Sequence, residues 1–293
     1  MTSYSIWLLE YARCPAQPVS AVLYGQHNKG TCLLSFSYCV LQGEDHIIML
    51  DVGYDYDKYG KDLADQSGVT DWQPPEIVLG KIGLHPRDVD TVILTHAHFD
   101  HMGNLRSFPN AHFFLQKKEL LDWVWALSLP RRFKSLQKAL DPQDILSAAA
   151  LSFEGRLTLL DGAVENVQPG IHVRPAFDAH TFGSQIVVID TESTAQTERW
   201  VYAGDTAYSH QNVRGIDNDG IYVAVGLATG STVNMLMAMD DMVTLAHHNI
   251  DRIIVAHDPA SWLMYPSRET KDGLHVAELS VAPGMESRLA RLT

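Results

Sequence analysis

The feature that most constrains this chain is a short stretch with four metal-binding side chains within six positions. It opens with the apolar run 91–94, which is typical of a buried strand. The four side chains then follow: His96, His98, Asp100 and His101. Imidazole and carboxylate together suit zinc and similar cations. Because four donors so close in sequence are too crowded for one tetrahedral ion, the stretch predicts two ions side by side.

The spacing His-x-His-x-Asp-His over residues 96–101 is the signature of the metallo-β-lactamase superfamily, and the chain resembles that family closely. The resemblance implies an α/β fold, an αββα sandwich in which two mixed β-sheets pack face to face with helices outside. It also implies that the metal site lies at the loop edge between the sheets. The opposing interpretation is a strand-end loop that is histidine-rich by chance, and this spacing disfavours it.

Three later segments match the positions from which the family takes its remaining ligands. His180 lies in the loop 179–183, which is similar to the family's Gly-His-Thr-x-Gly although alanine replaces the first glycine. Its weaker rival is His172, which lies inside a strand pattern. Asp205 occurs in Gly-Asp-Thr after a strand pattern, and His257 ends another. The resemblance implies that His96, His98 and His180 hold one ion, that Asp100, His101 and His257 hold the other, and that Asp205 bridges them.

Two further residues are candidates for supporting roles. Tyr208 follows Asp205 at a spacing found in the N-acyl-homoserine lactonase branch, where the tyrosine hydroxyl contacts the substrate carbonyl; a half-buried packing aromatic is the alternative. Asp51 matches a position where the superfamily commonly has an aspartate supporting the metal loop (residues 95–101). A strand-end turn explains Asp51 nearly as well. Three other histidines are given no role in the site: His85, His247 and His248.

The remaining sequence predicts one domain over residues 1–293. Strands are predicted at 4–9, 19–24, 31–41, 46–50, 111–115, 156–160, 171–174, 185–190, 200–203 and 252–256. Residues 54–80 are predicted to be largely loop, with a short helix at 76–84. A helix over 231–248 begins at Ser231 as N-cap, and a strand with a short helix is expected in 273–293.

A helical insertion is predicted at about 117–151. Trp123 and Trp125 point in different directions on its first helix, so at most one of them faces a core. The insertion either caps the active site, with aromatic side chains lining a substrate pocket, or packs on the sheet edge. The sequence favours neither arrangement.

Net charge and cysteine content indicate which substrates and which cellular compartment suit this chain. The formal net charge of −13, from 22 basic and 35 acidic residues, argues against nucleic acid as substrate. Three cysteines without Cys-x-x-Cys spacing favour a reducing cytoplasm over a disulfide framework. The N-terminus lacks the pattern of a signal peptide, and no apolar run approaches the roughly 20 residues that span a bilayer. We therefore expect a cytoplasmic protein without membrane association.

The resemblance implies a dinuclear metal-dependent hydrolase that opens a lactone, a cyclic ester, by attack of a metal-bridging hydroxide. Tyr208 would hold the carbonyl oxygen and Asp100 would deliver the leaving-group proton. The expected cofactors are two divalent ions, in the first place Zn²⁺, although Mn, Fe or Co also suit such ligands. The expected partner is a small-molecule cyclic ester, and a homodimer is favoured because related lactonases are often dimeric. The pyridoxolactone-opening enzymes resemble the chain equally at these motifs, and the insertion at 117–151 departs from a compact acyl-homoserine lactonase.

Other functions share the same motif. A glyoxalase II-like thioester hydrolase is one alternative, although the chain has no basic C-terminal segment suited to glutathione. A hydrolase of β-lactam-type cyclic amides is another, and the acidic balance counts against a tRNA-processing nuclease. A metal-binding domain without turnover is disfavoured by the intact ligand set.

Overall fold

Two mixed β-sheets form the centre of the fold. The computed structural model describes residues 3–193 and 196–292. From edge to edge, the larger sheet in this part of the chain consists of β12 (Ser267–Glu269), β13 (His275–Ser280), β1 (Ser5–Pro18), β2 (Thr31–Gln42), β3 (Ile47–Leu50), β4 (Thr91–Ile93), β5 (His112–Gln116) and β6 (Leu157–Leu160). The smaller sheet consists of β11 (Ile253–Ile254), β10 (Thr197–Tyr202), β9 (Gln185–Glu192), β8 (Ile171–Pro175) and β7 (Val164–Gln168).

Side-chain alternation along β1 builds two cores from one strand. Ile6 and Leu8 are buried between the sheets, in one cluster with Ile189 of the smaller sheet. Trp7 and Leu9 belong to a second cluster on the outer faces. Because successive side chains of a strand point to opposite faces, an almost uniformly apolar strand must be covered on both sides. The larger sheet is therefore an inner layer of the molecule.

Helices provide the outer layers. They are α1 (Val19–Val22), α2 (Lys58–Ser67), α3 (Pro75–Gly80), α4 (Phe99–Met102), α5 (Lys117–Ser128), α6 (Pro142–Phe153), α7 (His210–Arg214), α8 (Thr232–Leu245) and α9 (Ser261–Met264). Trp123 of α5 and Met235 and Met239 of α8 are buried in the outer cluster. The layers are thus helix, sheet, sheet and helix, which confirms the predicted αββα sandwich. Among the described residues, no helix has the length and apolar character needed to cross a membrane.

The strand directions bring several chain segments to one edge of the sandwich. β3 and β4 run parallel, so Asp51 and the metal loop leave the larger sheet at the same edge. β10 and β11 also run parallel, and they deliver Asp205 and His257 from the smaller sheet. Carboxyl ends of parallel strands are the usual location of ligand sites in α/β folds. The sheet topology therefore concentrates the predicted ligands.

Three element predictions near the N-terminus are wrong. Residues 19–24, predicted as a strand, begin with the helix α1. The first strand does not stop before Pro15, because β1 pairs with β2 as far as Pro18. Pro15 falls at an irregularity in that pairing and Pro18 at the strand end, where no ladder N–H is required. Within the predicted loop 54–80, the helix α2 forms instead, whereas α3 matches the short helix predicted at 76–84 but ends earlier.

The segment 117–151, predicted as a helical insertion, is largely helical and contains α5, a 3₁₀ helix (Arg131–Gln137) and most of α6. Trp123 is fully buried whereas Trp125 is 54% exposed, so the two rings do point in different directions. The Phe99 N–H donates to the carbonyl of Ala139 at 2.9 Å, which attaches the insertion to the metal loop. Whether the insertion also covers bound substrate stays a prediction.

Candidate metal centre

The metal loop turns sharply at His98, which is the N-cap residue of α4. His98 has extended backbone and His96 lies in the loop before it, whereas Asp100 and His101 lie within the single turn of α4. The change from strand to helix sends the two pairs of side chains in different directions. All four residues are buried. One short loop therefore supplies donors to two neighbouring positions.

All seven predicted ligands come together in two groups. Within each group, the donor atoms lie within 4.8 Å of one another. The first cluster consists of His96, His98, His180 and Asp205, and the second consists of Asp100, His101 and His257. For the six residues other than Asp205, this division is the one that the family resemblance implied. The rival His172 lies elsewhere, next to Glu165 and Asp190.

The Asp205 carboxylate faces both clusters. Its Oδ1 lies 3.0 Å from Nε2 of His101 and 3.0 Å from Nε2 of His257. Its Oδ2 lies 3.2 Å from Nε2 of His180 and 3.5 Å from Nε2 of His96. With one oxygen directed to each group, Asp205 has the disposition of a bridging ligand.

The chemistry of the donor atoms fits metal ions. The Nε2 atom of His96 is buried and has no hydrogen-bond partner among the described residues. Nδ1 of His98 lies 3.0 Å from Nε2 of His180. Burial, together with the neighbouring histidines, holds the pKa of His96 and of His98 well below the usual value, which keeps both imidazoles neutral. Neutral imidazole is the form that coordinates a metal, so these converging nitrogens can bind a cation.

Hydrogen bonds behind the ligands fix the orientation of three histidine rings. Nδ1 of His101 lies 2.8 Å from Oδ2 of Asp51, and Nδ1 of His257 lies 2.8 Å from the carbonyl oxygen of Ser35. Nδ1 of His96 lies 3.0 Å from the Thr95 hydroxyl. Such contacts set the tautomer and direction of metal-binding histidines.

Asp51 supports the metal loop directly, so it is more than a turn residue. Its Oδ1 accepts a hydrogen bond from the Thr95 N–H at 2.7 Å, and its Oδ2 accepts one from the Tyr202 hydroxyl at 3.1 Å. The φ angle of Asp51 is 61°, in the left-handed region that few residues other than glycine adopt. Asp51 adopts this conformation in the turn directly after β3.

Tyr208 lies beside both clusters, 7% exposed. Its ring centroid is 4.9 Å from that of His257 and 5.7 Å from that of His180. Burial, and then the negative charges of Asp205 and Asp100, raise the pKa of Tyr208 well above its usual value. The hydroxyl therefore keeps its proton and can donate a hydrogen bond at this position.

Residues from distant segments also touch the site, and the sequence pattern does not predict them. The Tyr11 hydroxyl donates to the carbonyl of Asp100 at 2.8 Å, and the Phe36 ring packs edge-on against His257. Both lie on apolar strands, where nothing distinguishes them from other core aromatics. Glu119 is not predicted either, because it follows two lysines at a helix start that is typical of a solvated surface.

The chain belongs to the metallo-beta-lactamase superfamily, whose family model matches residues 30–257. A probable metallo-hydrolase of Methanocaldococcus jannaschii is 46% identical over 41 residues, which are 14% of this chain and 20% of that protein. Together with the fold, this membership makes the protein a metal-dependent hydrolase. Its His/Asp clusters are able to bind metal ions.

Solved structures share the same fold. A quorum-quenching N-acyl homoserine lactone hydrolase is 19% identical, with a TM-score of 0.63 over 89% of this chain and 95% of its own. The hydrolase AbOPH of the beta lactamase superfamily is also 19% identical, with a TM-score of 0.64 over 98% of both chains. At these identities the likeness concerns the fold.

Proposed function

We propose that this protein is a dinuclear metal hydrolase that opens a lactone or a closely related small cyclic ester. The observation that carries the proposal is the position of Tyr208, a neutral phenol between two His/Asp clusters that share Asp205. A hydroxyl donor next to paired metal positions suits a reaction in which negative charge develops on a carbonyl oxygen.

The residues divide the work between holding metals and handling the substrate. The two clusters would hold one divalent ion each, with Zn²⁺ the first choice for this donor set. Bound ions of this kind supply Lewis-acid polarisation and lower the pKa of water. Tyr208 donates a hydrogen bond to the ester carbonyl oxygen and stabilises the charge that develops there. The oxygen of a deprotonated water bonds to the carbonyl carbon and the ring C–O bond breaks. Asp100, at the edge of the second cluster, takes the remaining proton of that oxygen and passes it to the departing alkoxide oxygen, so that a carboxylate and an alcohol are formed.

Comparison with lactonases supports the choice of substrate class. One N-acyl homoserine lactone hydrolase with this fold, 18% identical, has the product N-hexanoyl-L-homoserine bound at its catalytic metal centre. The product of that enzyme lies at its metal centre, and this supports the proposal that a cyclic ester would bind at the His/Asp clusters of this chain. By analogy, we propose that the substrate of this chain is a small-molecule cyclic ester.

The test is metal content measured together with turnover of a substrate panel. The panel contains acyl-homoserine lactones, aromatic lactones, a glutathione thioester and a β-lactam, each followed by proton release. We expect two metal equivalents per chain and turnover of at least one lactone. Thioester or β-lactam turnover without lactone turnover would reject the proposal in favour of that reaction, and a purified protein without metal would reject the dinuclear hydrolase altogether.

A further inference from the structure

Glu119, outside both clusters, is a fully buried carboxylate that accepts four hydrogen bonds. Its Oε1 accepts from the N–H of Ala97 and from the indole of Trp123, each at 2.8 Å. Its Oε2 accepts from the Thr181 hydroxyl at 2.9 Å and from the N–H of Gly183 at 2.5 Å. Burying a carboxylate is costly unless donors surround it. The four donors offset this cost, so the Glu119 carboxylate and the groups that donate to it are held together as one unit.

The donors join two segments that are far apart in the sequence. Ala97 lies between His96 and His98, and its N–H is fixed by Oε1. Thr181 directly follows His180, and its hydroxyl is fixed by Oε2. One side chain of α5 thus ties together the two loops that carry all three histidines of the first cluster.

Close packing leaves these loops little freedom. A Cβ on Gly183 would lie 2.3 Å from the backbone nitrogen of Glu119, so the loop after His180 packs directly on the start of α5. Trp123, one turn further along α5, has its ring centroid 6.1 Å from that of His98. The helix therefore contacts the first cluster through both backbone and side chains.

The second cluster depends on other partners. Asp51 holds the His101 ring, and the carbonyl of Ser35 holds the His257 ring. None of the hydrogen bonds described for Glu119 reaches a residue of this cluster or these partners. Removing the Glu119 contacts should thus affect the two metal positions unequally.

We propose that Glu119 is a positioning residue for one metal, holding the His96–His98 and His180 loops so that their three imidazoles converge. The proposal rests on metal binding by the clusters, as in the proposed function, but not on which ester is cleaved. It assigns the helical insertion a role in building the metal centre, in addition to any contact with substrate.

The test variant is Glu119→Gln. An amide nitrogen in place of Oε1 would face two N–H donors, so two bonds are lost. In place of Oε2 it would face the N–H of Gly183 and the Thr181 hydroxyl, which can turn to accept, so at least one bond is lost. Zn²⁺ binding to metal-free protein is measured by calorimetric titration, without reference to activity. We expect one of two equivalents to bind about 10–100-fold more weakly, the usual cost of losing a group that orients a ligand. Glu154→Gln is the control, because that exposed glutamate ends the same insertion.

Two backgrounds identify which metal position is affected. With His257→Ala, only the first cluster is complete, and adding Glu119→Gln should weaken the remaining Zn²⁺ site. With His180→Ala, only the second is complete, and adding Glu119→Gln should leave Zn²⁺ affinity unchanged. Equal weakening in both backgrounds, or no weakening in either, would overturn the proposal.

A milder variant covers the case in which Glu119→Gln fails to fold. Thr181→Val removes one hydroxyl donor to Oε2 and should give a smaller change of the same one-sided kind; unchanged Zn²⁺ binding in this variant would count against the proposal. A wild-type protein that binds two metals but opens no lactone contradicts the proposed function and leaves this test intact. A wild type that binds no metal overturns both.

Discussion

At the scale of single residues, Tyr208 separates the proposed catalysis from metal binding. Tyr208→Phe keeps the ring that packs against His257 and His180 but removes the hydroxyl. We expect unchanged metal content and a kcat lowered on the order of 100-fold, since one donor to a developing oxyanion is lost. Metal analysis and steady-state kinetics on the same sample check this. Unaltered kinetics would mean that Tyr208 only fills space.

Asp144 gives a residue-scale prediction about pH and stability. Its Oδ2 is buried without a hydrogen-bond partner among the described residues, and burial followed by the charges of Asp141 and Asp55 raises its pKa from 3.8 to about 8. The folded protein therefore holds a proton that the unfolded chain releases above about pH 4. The contribution of Asp144 to the free energy of unfolding should therefore fall as pH rises from about 4 to about 8. Above that range this contribution should no longer change with pH.

The variant Asp144→Asn should remove this dependence. Its melting temperature, followed by circular dichroism, is expected to exceed that of the wild type by a margin that grows between pH 5 and pH 8. Asp45→Asn, at an exposed turn, is the matched control and should show a constant difference. A margin for Asp144→Asn that does not change with pH would show that the carboxyl is ionised in the fold.

At the scale of elements, the contact between α5 and the His180 loop predicts intolerance of any side chain at position 183. Gly183→Ala places a Cβ 2.3 Å from the Glu119 nitrogen, so helix and loop must separate. We expect a loss of about 1–3 kcal/mol in the free energy of unfolding, as for other overpacked cores. Denaturant titration measures it.

Gly80→Ala provides the comparison for that variant. Nothing lies within 4 Å of a Cβ at Gly80, which ends α3, so this change should be neutral or slightly stabilising. If both variants were equally stable, the packing of α5 against the loop would be looser than the structure indicates.

At the scale of the whole molecule, metal should stabilise the fold as well as serve catalysis. The clusters bring buried imidazoles and carboxylates together from both sheets, and ions bound between them would offset part of the cost of burying these groups. A ligand that binds only the folded state at 100 times its Kd adds about 2.7 kcal/mol of stability. Dialysis against a chelator should therefore lower the melting temperature, and added Zn²⁺ should restore it. An unchanged melting temperature would contradict tight binding.

The family resemblance implied the architecture, which the structure confirms, and the structure brings the seven predicted ligands together. The ligands lie at strand ends, in short motifs whose spacing alone determines direction, as at His96 and His98. Glu119 and Tyr11 could not be predicted in this way, because their roles arise only when segments distant in sequence pack together. The strand predicted at 19–24 failed because a short apolar run fits either a strand or a buried helical turn.

The place of β1 has a consequence for how the chain folds during synthesis. β1 pairs on one side with its neighbour in sequence, β2, but on the other with β13, near the opposite end of the chain. N-terminal segments emerge first from the ribosome, so one edge of β1 keeps its N–H and C=O groups unpaired until β13 arrives. Open edges of this kind invite pairing with other chains. The formal charge of −13 opposes such self-association by keeping unfinished chains apart.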